Sequence, residues 1–337
     1  MATEDTSPEE VLPPGELEKR LRDPHYNNPT PDPIAQKLVI EADGKLVSSK
    51  TFIGKLFGGV QKVEEAAEAF HRAGNLFKVN KNWELAGDAF TRASEVQSQL
   101  DSRHETATTL IDAAVCYKKC NLAKAADSYS KSSEIYLEMG RFNMSAKYNI
   151  ALAEVLESMN DISASIDKYL KAGDMYAAED SNSACSKALL KSASLYAKLC
   201  RWNEAIQLYD RVIESSLKTR LLSYSVKEYM FRSLLCQILL KRGEVASKID
   251  TYVQLHPPFQ DTRELKLITD VITAVEEGES EQLNEFFDEY DRISRFDAWY
   301  KFVIGQIRQL SLDPQGDADQ KTDLDDLNKD SDLSDLK

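Results

Sequence analysis

Apolar positions recur along this chain with a period of about forty residues. Four segments, "WELAGDAFTRA", "NLAKAADSYSKS", "DISASIDKYLKA" and "WNEAIQLYDRV", superpose on the aromatic anchors Phe90, Tyr129, Tyr169 and Tyr209, which are 39, 40 and 40 residues apart. Four positions before each anchor stands a small residue, Ala86, Ala125, Ser165 or Ala205, and three after it Ala93, Ser132, Ala172 or Val212. Spacings of three and four put these on one helix face, where small residues let a neighbouring helix approach and the ring fills the space beyond. An earlier series, Phe77, Tyr117, Leu156 and Tyr196, closes a partner helix in each unit. Every repeat therefore reads as a helix pair.

Such pairs are longer than a tetratricopeptide unit of about 34 residues but alike in kind. Stacked, they predict an all-α, tetratricopeptide-like helix-pair solenoid, a twisted sheet of antiparallel helices with two broad faces for elongated partners. Proline supports this: seven of ten lie at or before Pro33, two are Pro257 and Pro258, and one is Pro314. The interval from Ile34 to His256 has none, as continuous helices require. The boundaries follow: residues 1–31 are an acidic, proline-rich extension expected to be disordered, 32–256 the repeats with an apolar loop at 51–59, 257–311 a C-terminal helical bundle, and 312–337 a flexible acidic tail.

Charge changes the picture at the ends. The formal charge is −14, of which Asp313–Lys337 contributes −6 (nine Asp, three Lys) and Met1–Pro33 contributes −5 (eight acids, three bases), leaving about −3 for the body. Nucleic acid is not an expected partner. Five cysteines, Cys116, Cys120, Cys185, Cys200 and Cys236, complete no metal-ligand spacing and read as buried free thiols. With no signal peptide and no apolar run near 18 residues, a cytoplasmic protein is expected. Phosphate-binding and nucleophile-elbow spacings are absent, and no metal or cofactor is implied, so the chain reads as a non-enzyme.

Three constellations remain. In "TFIGKLFGG", Phe52, Ile53, Leu56 and Phe57 crowd six residues, among Gly54, Gly58 and Gly59. The segment is either a core helix turn or a loop whose tip enters a bilayer interface, with Lys55 reaching back to headgroups. Arg141, Lys147, Lys187, Lys191 and Lys227 form the second; Lys147 and Lys187 are one period apart and so equivalent on successive pairs, as a basic track or as a solvated face. The third, Asp270 to Asp291, holds nine acids and no base, interrupted by Val271, Ile272, Leu283, Phe286 and Phe287 at helical spacing. Acids displayed in that way complement a basic partner.

Taken together, "FIGKLFGG", "NLFKVNKNWELAGDAF", "MGRFNMSAKY", "SNSACSKALLK", "YSVKEYMFRSLLC" and "EYDRISRFDAW" resemble soluble NSF attachment proteins of the alpha type, collinearly from about Ile34 to Leu310. "EEGESEQLNEF" is similar to fungal members. The resemblance implies an adaptor that coats a SNARE four-helix bundle and recruits the AAA+ ATPase NSF, which disassembles it in vesicle traffic. It assigns Arg141, Lys147, Lys187, Lys191, Leu221, Tyr224 and Lys227 to the acidic SNARE surface. Phe52, Ile53, Leu56 and Phe57 become a membrane-touching loop, and Glu276 and Glu277 face NSF. Leu336, or Leu327 beside Leu324, becomes the tail leucine that couples to NSF. It further implies a monomer when free, several copies per SNARE complex, and peripheral membrane association. Thr273 departs from the acid that relatives often carry there, and residues 1–31 have no counterpart in the resemblance. A scaffold for peptide segments in another multiprotein complex is the alternative.

Overall fold

The computed structural model describes Leu17, Lys19 and residues 32–49, 59–218 and 223–312. Among the described residues there are fourteen α-helices and three short 3-10 turns, and no strand. The chain divides into two compact units, Met1–Ser181 and Asn182–Lys337. The all-α, helix-pair organisation is the one the forty-residue period predicts.

Unit 1 holds α1 (Pro33–Ser49), α2 (Gly59–Val79), α3 (Trp83–Gln99), α4 (Arg103–Tyr117), α5 (Leu122–Glu138), α6 (Phe142–Ser158) and α7 (Ile162–Ala178), each packed along its neighbour in sequence. Helices α3, α5, α6 and α7 have 17 residues each, and the chain reverses after them in three. Each reversal has one solution. Lys81, Asp101, Gly140, Asn160 and Asp180 take left-handed φ values of 61°, 56°, 68°, 63° and 54°. The next N–H then reaches back five residues: Asn82 to the Phe77 carbonyl (2.9 Å), Ser102 to Gln97 (3.2 Å), Arg141 to Tyr136 (2.8 Å), Asp161 to Leu156 (2.9 Å) and Ser181 to Tyr176 (2.9 Å). This Schellman closure satisfies carbonyls that the helix end leaves open. Helix α4 is the exception: its 15 residues end in a turn closed by the Asn121 N–H on the Tyr117 carbonyl (2.6 Å), with no left-handed residue from 118 to 121. One residue is lost there, which accounts for the single 39-residue interval.

The anchors pack as their spacing requires. Phe90, Tyr129 and Tyr169 are buried, as are the small residues four before and three after each. Two of those small residues are serines, and each donates to a neighbouring helix: Ser132 Oγ to the Ala107 carbonyl and Ser165 Oγ to the Ala153 carbonyl, both at 2.9 Å. A buried hydroxyl is tolerated because it is paired. The Tyr117 ring packs against Gly87 and donates its hydroxyl to buried Asp88 (2.6 Å), which also accepts from Lys124 (3.1 Å). Leu17 is helical, buried, and part of the same apolar cluster as α1 and α2. A leucine in an acidic, proline-rich segment is still worth burying where a terminal helix offers apolar surface.

Unit 2 holds α8 (Asn182–Lys198), α9 (Trp202–Leu217), α10 (Val226–Leu240), α11 (Val245–Leu255), α12 (Arg263–Glu277), α13 (Ser280–Ile293) and α14 (Ala298–Leu312). Helices α8, α9 and α10 pack successively, and α10 then meets α11, α12 and α14. One apolar cluster runs from Ala193 to Ile307, so the helices after Pro257 and Pro258 share a core with α8 to α10. Arg232 ties α10 to α14. Its guanidinium lies 4.8 Å from the Trp299 ring and 4.7 Å from the Tyr300 ring, and pairs with Glu228 (2.9 Å) and Asp297 (3.1 Å). Tyr252 donates to Asp210 and accepts from the Ser233 hydroxyl, joining α11 to α9 and α10.

Cys116, Cys185 and Cys236 are buried free thiols as expected; Cys120 and Cys200 are instead exposed, because both fall in turns where the core ends. Burial pushes the Cys116 thiol up to about 11. In the folded protein Cys120 and Cys200 are therefore expected to react with an aromatic disulfide reagent within minutes. The other three should react only on unfolding, and stoichiometric labelling of all five in native buffer would contradict this burial.

A Cβ on Gly87 would lie 2.4 Å from the Tyr117 ring, whereas one on Gly44 of α1 meets nothing within 4 Å. Gly87→Ala is expected to lower stability by about 1–3 kcal/mol in urea titration. Gly44→Ala should leave it unchanged or raise it by up to about 1 kcal/mol.

Candidate functional site

The basic residues fall into two classes that the acids around them distinguish. On α5, α7 and α9 the residue two after each anchor is basic, Lys131, Lys171 and Arg211, and an acid stands three residues beyond, Glu134, Asp174 and Glu214. Lys131 and Lys171 also have an acid four before; Asp127 holds Lys131 at 3.4 Å. Such faces are self-compensated, as solvated helices usually are.

Helices α6 and α8 differ. Lys147 and Lys187 are both sixth in their helices and both exposed, and neither has an acid at three or four residues in either direction. Lys191, one turn beyond Lys187, also has none. Helix α8 carries three lysines and no acid in 17 residues, in a chain with 56 acidic residues. In unit 1, Arg141 stands exposed at the N-cap of α6, and the acid three before it, Glu138, is turned to Arg103 at 3.5 Å. Behind Lys147 the rings of Tyr129, Tyr148 and Tyr136 stack at 6.4 and 5.7 Å, which fixes the helix that presents it.

In unit 2, Tyr224 is 87% exposed in the 3-10 turn before α10, a large cost in apolar exposure for an unengaged aromatic. Lys227 is not a free charge: it pairs with Glu264 of α12 at 3.1 Å. The sequence gives no sign of that pairing, since 37 positions separate the partners. Phe52, Ile53, Leu56, Phe57, Leu221, Leu324, Leu327 and Leu336 lie outside the described residues.

The acidic candidates are built against local rules. Glu276 and Glu277 are exposed in the last turn of α12, where the helix's negative end disfavours carboxylates, and no base shares that turn. Gly278 follows at φ 75° and the Glu279 N–H closes onto the Ala274 carbonyl (2.9 Å), so the turn is fixed. On α13, Glu281, Glu285 and Glu289 are exposed in an i,i+4 row of like charge. None of these five carboxylates is in an ion pair among the described residues. Thr273 sits beside them, exposed, donating to the Thr269 carbonyl at 3.1 Å. Among the described residues no group of histidine, cysteine or acids is arranged to hold a metal ion, and no helix is long and apolar enough to cross a membrane.

Reversal after every helix also sorts the turns. Within unit 1, residues 100–102 and 139–141 lie at the end where α1 stops at Ser49 and α2 starts at Gly59; residues 80–82, 118–121 and 159–161 lie at the other. Arg141 therefore shares its end with Ser49 and Gly59, which flank the apolar segment.

A family profile described as soluble NSF attachment protein, SNAP, matches residues 33–310. This chain belongs to the soluble NSF attachment protein family. It is 38% identical to the alpha-soluble NSF attachment protein of Mus musculus over 276 residues, covering 82% of this chain and 94% of the relative. It is 37% identical to the beta-soluble NSF attachment protein of Bos taurus over 289 residues, 85% of this chain and 97% of the relative. The alpha-soluble NSF attachment protein of Saccharomyces cerevisiae is 33% identical over 291 residues, 85% and 98% of the two chains. The cations, Tyr224 and the α12 acids of this attachment protein all lie within the matched span.

Lys147→Glu with Lys187→Glu is expected to weaken binding to an acidic helical bundle by more than tenfold and to flatten its salt dependence. Lys131→Glu with Lys171→Glu should change it little. Lys227→Ala should cost less than Lys187→Ala, because Glu264 already offsets its charge; titration by calorimetry at two salt concentrations ranks all four.

Proposed function

We propose that this attachment protein is an adaptor without chemistry of its own, which binds assembled SNARE complexes and recruits the AAA+ ATPase NSF for their ATP-driven disassembly. The observation that carries the reading is the acid-free, lysine-bearing α8 within a chain that matches the family over nearly its whole repeat region. A four-helix bundle with an acidic surface is long, ridged and negatively charged, and an array of helices with outward cations fits it by charge and by length.

Arg141, Lys147, Lys187, Lys191, Leu221, Tyr224 and Lys227 are assigned to the SNARE surface. Tyr224 supplies apolar contact among cations, and Lys227 exchanges Glu264 for a partner carboxylate on binding. Glu276 and Glu277 face basic residues of NSF, with Leu336 or Leu327 of the acidic tail acting on its ATPase activity. Phe52, Ile53, Leu56 and Phe57 insert at the membrane, where Lys55 meets headgroups. The protein acts from the cytoplasm, peripherally on membranes. Several copies, monomeric when free, surround one bundle, and modest contacts made together give the avidity that one copy lacks.

Disassembly of a purified SNARE complex by NSF and ATP, followed with and without this chain, tests the reading. Disassembly is expected only in its presence, and to be lost with Glu276→Lys/Glu277→Lys although SNARE binding persists. A complex that neither binds this chain nor needs it would leave the repeats to some other scaffold.

A further inference from the structure

Two helices of unit 2 carry no acid. Helix α8 has three lysines in 17 residues, and α14 has Lys301 and Arg308 in 15. Every other α-helix of the unit holds at least one Asp or Glu. The two pack against each other, so five cations lie on adjoining helices that have no carboxylate of their own. Arg308 is met by Asp288 of α13 at 3.6 Å. On α9, which also borders α8, Glu204 is held by Arg201 at 2.7 Å and Asp210 by Lys248. Lys187, Lys191 and Lys198 are exposed, and their spacing keeps them within about 40° of one line along α8, about 16 Å long.

The same chain carries a complement to this stripe. It leaves α14 at Leu312 and continues through Asp313–Lys337, 25 residues with nine Asp and three Lys. Within Asp323–Asp335 six residues are Asp and one is Lys. A tether of that length spans about 25–30 Å on average and about 80 Å at full extension, ample for a helix that α14 touches. In extended backbone Asp323 and Asp325 would stand about 6.6 Å apart, near the rise of about 6 Å from Lys187 to Lys191. The other acidic segment, at the N-terminus, is anchored in unit 1, where Leu17 is buried with α1 and α2.

We propose that in the free protein the acidic tail lies along the Lys187–Lys191–Lys198 stripe of its own chain, and that an acidic SNARE bundle displaces it. The contact stands on charge and chain path; the displacement rests on the assignment of α8 to the SNARE surface. Each exposed pair is weak, but a short tether holds the tail at an effective concentration of about millimolar. Binding of the bundle then frees the tail leucines when NSF is needed, so that SNARE engagement precedes coupling to the ATPase.

Zero-length carbodiimide cross-linking of the full chain, mapped by mass spectrometry on mixed light and isotope-labelled protein, reads the contact. Amides between tail Asp and Lys187, Lys191 or Lys198 are expected within one chain, and to disappear when purified, assembled SNARE complex is added. Calorimetry reads the competition. Asp323→Asn/Asp325→Asn/Asp326→Asn/Asp330→Asn is expected to bind the SNARE complex about three- to tenfold more tightly than wild type at low salt, and equally at about 0.5 M salt. Absence of tail cross-links to α8 overturns the proposal, as do α8 cross-links that come from residues 1–31 or from a second copy. Tail cross-links that persist while the SNARE complex is bound overturn the displacement. If the SNARE complex does not bind the wild-type chain, the adaptor reading fails, and the cross-links still decide the contact on their own.

Discussion

Reversing a helix within three residues requires one left-handed residue and a hydrogen bond reaching back over it, and much of this molecule depends on that closure. Because 17 helical residues and three turn residues sum to twenty, positions forty apart fall at the same place within their own helices. Lys147 and Lys187 are each sixth in their helix for that reason, before it is a matter of charge. Burial of the aromatic anchors then supplies stabilisation, each ring contributing roughly 1.5–3 kcal/mol relative to exposure. The small residues beside them set how closely the helices approach.

Surface charge follows the opposite logic. On α5, α7 and α9 an acid stands within one turn of Lys131, Lys171 and Arg211, which lowers self-repulsion and leaves little for a partner. Helix α8 carries no acid of its own, and the last turn of α12 no base. Sequences that break a local rule without local benefit usually do so at functional sites. Here the breaks are of opposite sign within one chain, as an adaptor between an acidic and a basic partner requires.

The fold was legible because its signals are periodic. Phe90, Tyr129, Tyr169 and Tyr209 recur at 39 or 40 residues, and all are buried. The turns were not legible: only Gly140 among the left-handed residues of unit 1 is a glycine, and Lys81, Asp101, Asn160 and Asp180 give no shared pattern. Cys120 and Cys200 were misread because helical neighbours suggested burial and the turn boundaries were unseen. At the site, individual cations could be named from sequence, but the Glu264 that offsets Lys227 lies on another helix, and such pairings follow only from packing.

The two glutamates that end α12 have a further effect. Glu276 and Glu277 stand against the negative end of their helix with no base in that turn, so the surface they form works slightly against the fold that displays it. A cationic ligand would remove that cost as it bound, and occupancy and folding would then be thermodynamically linked.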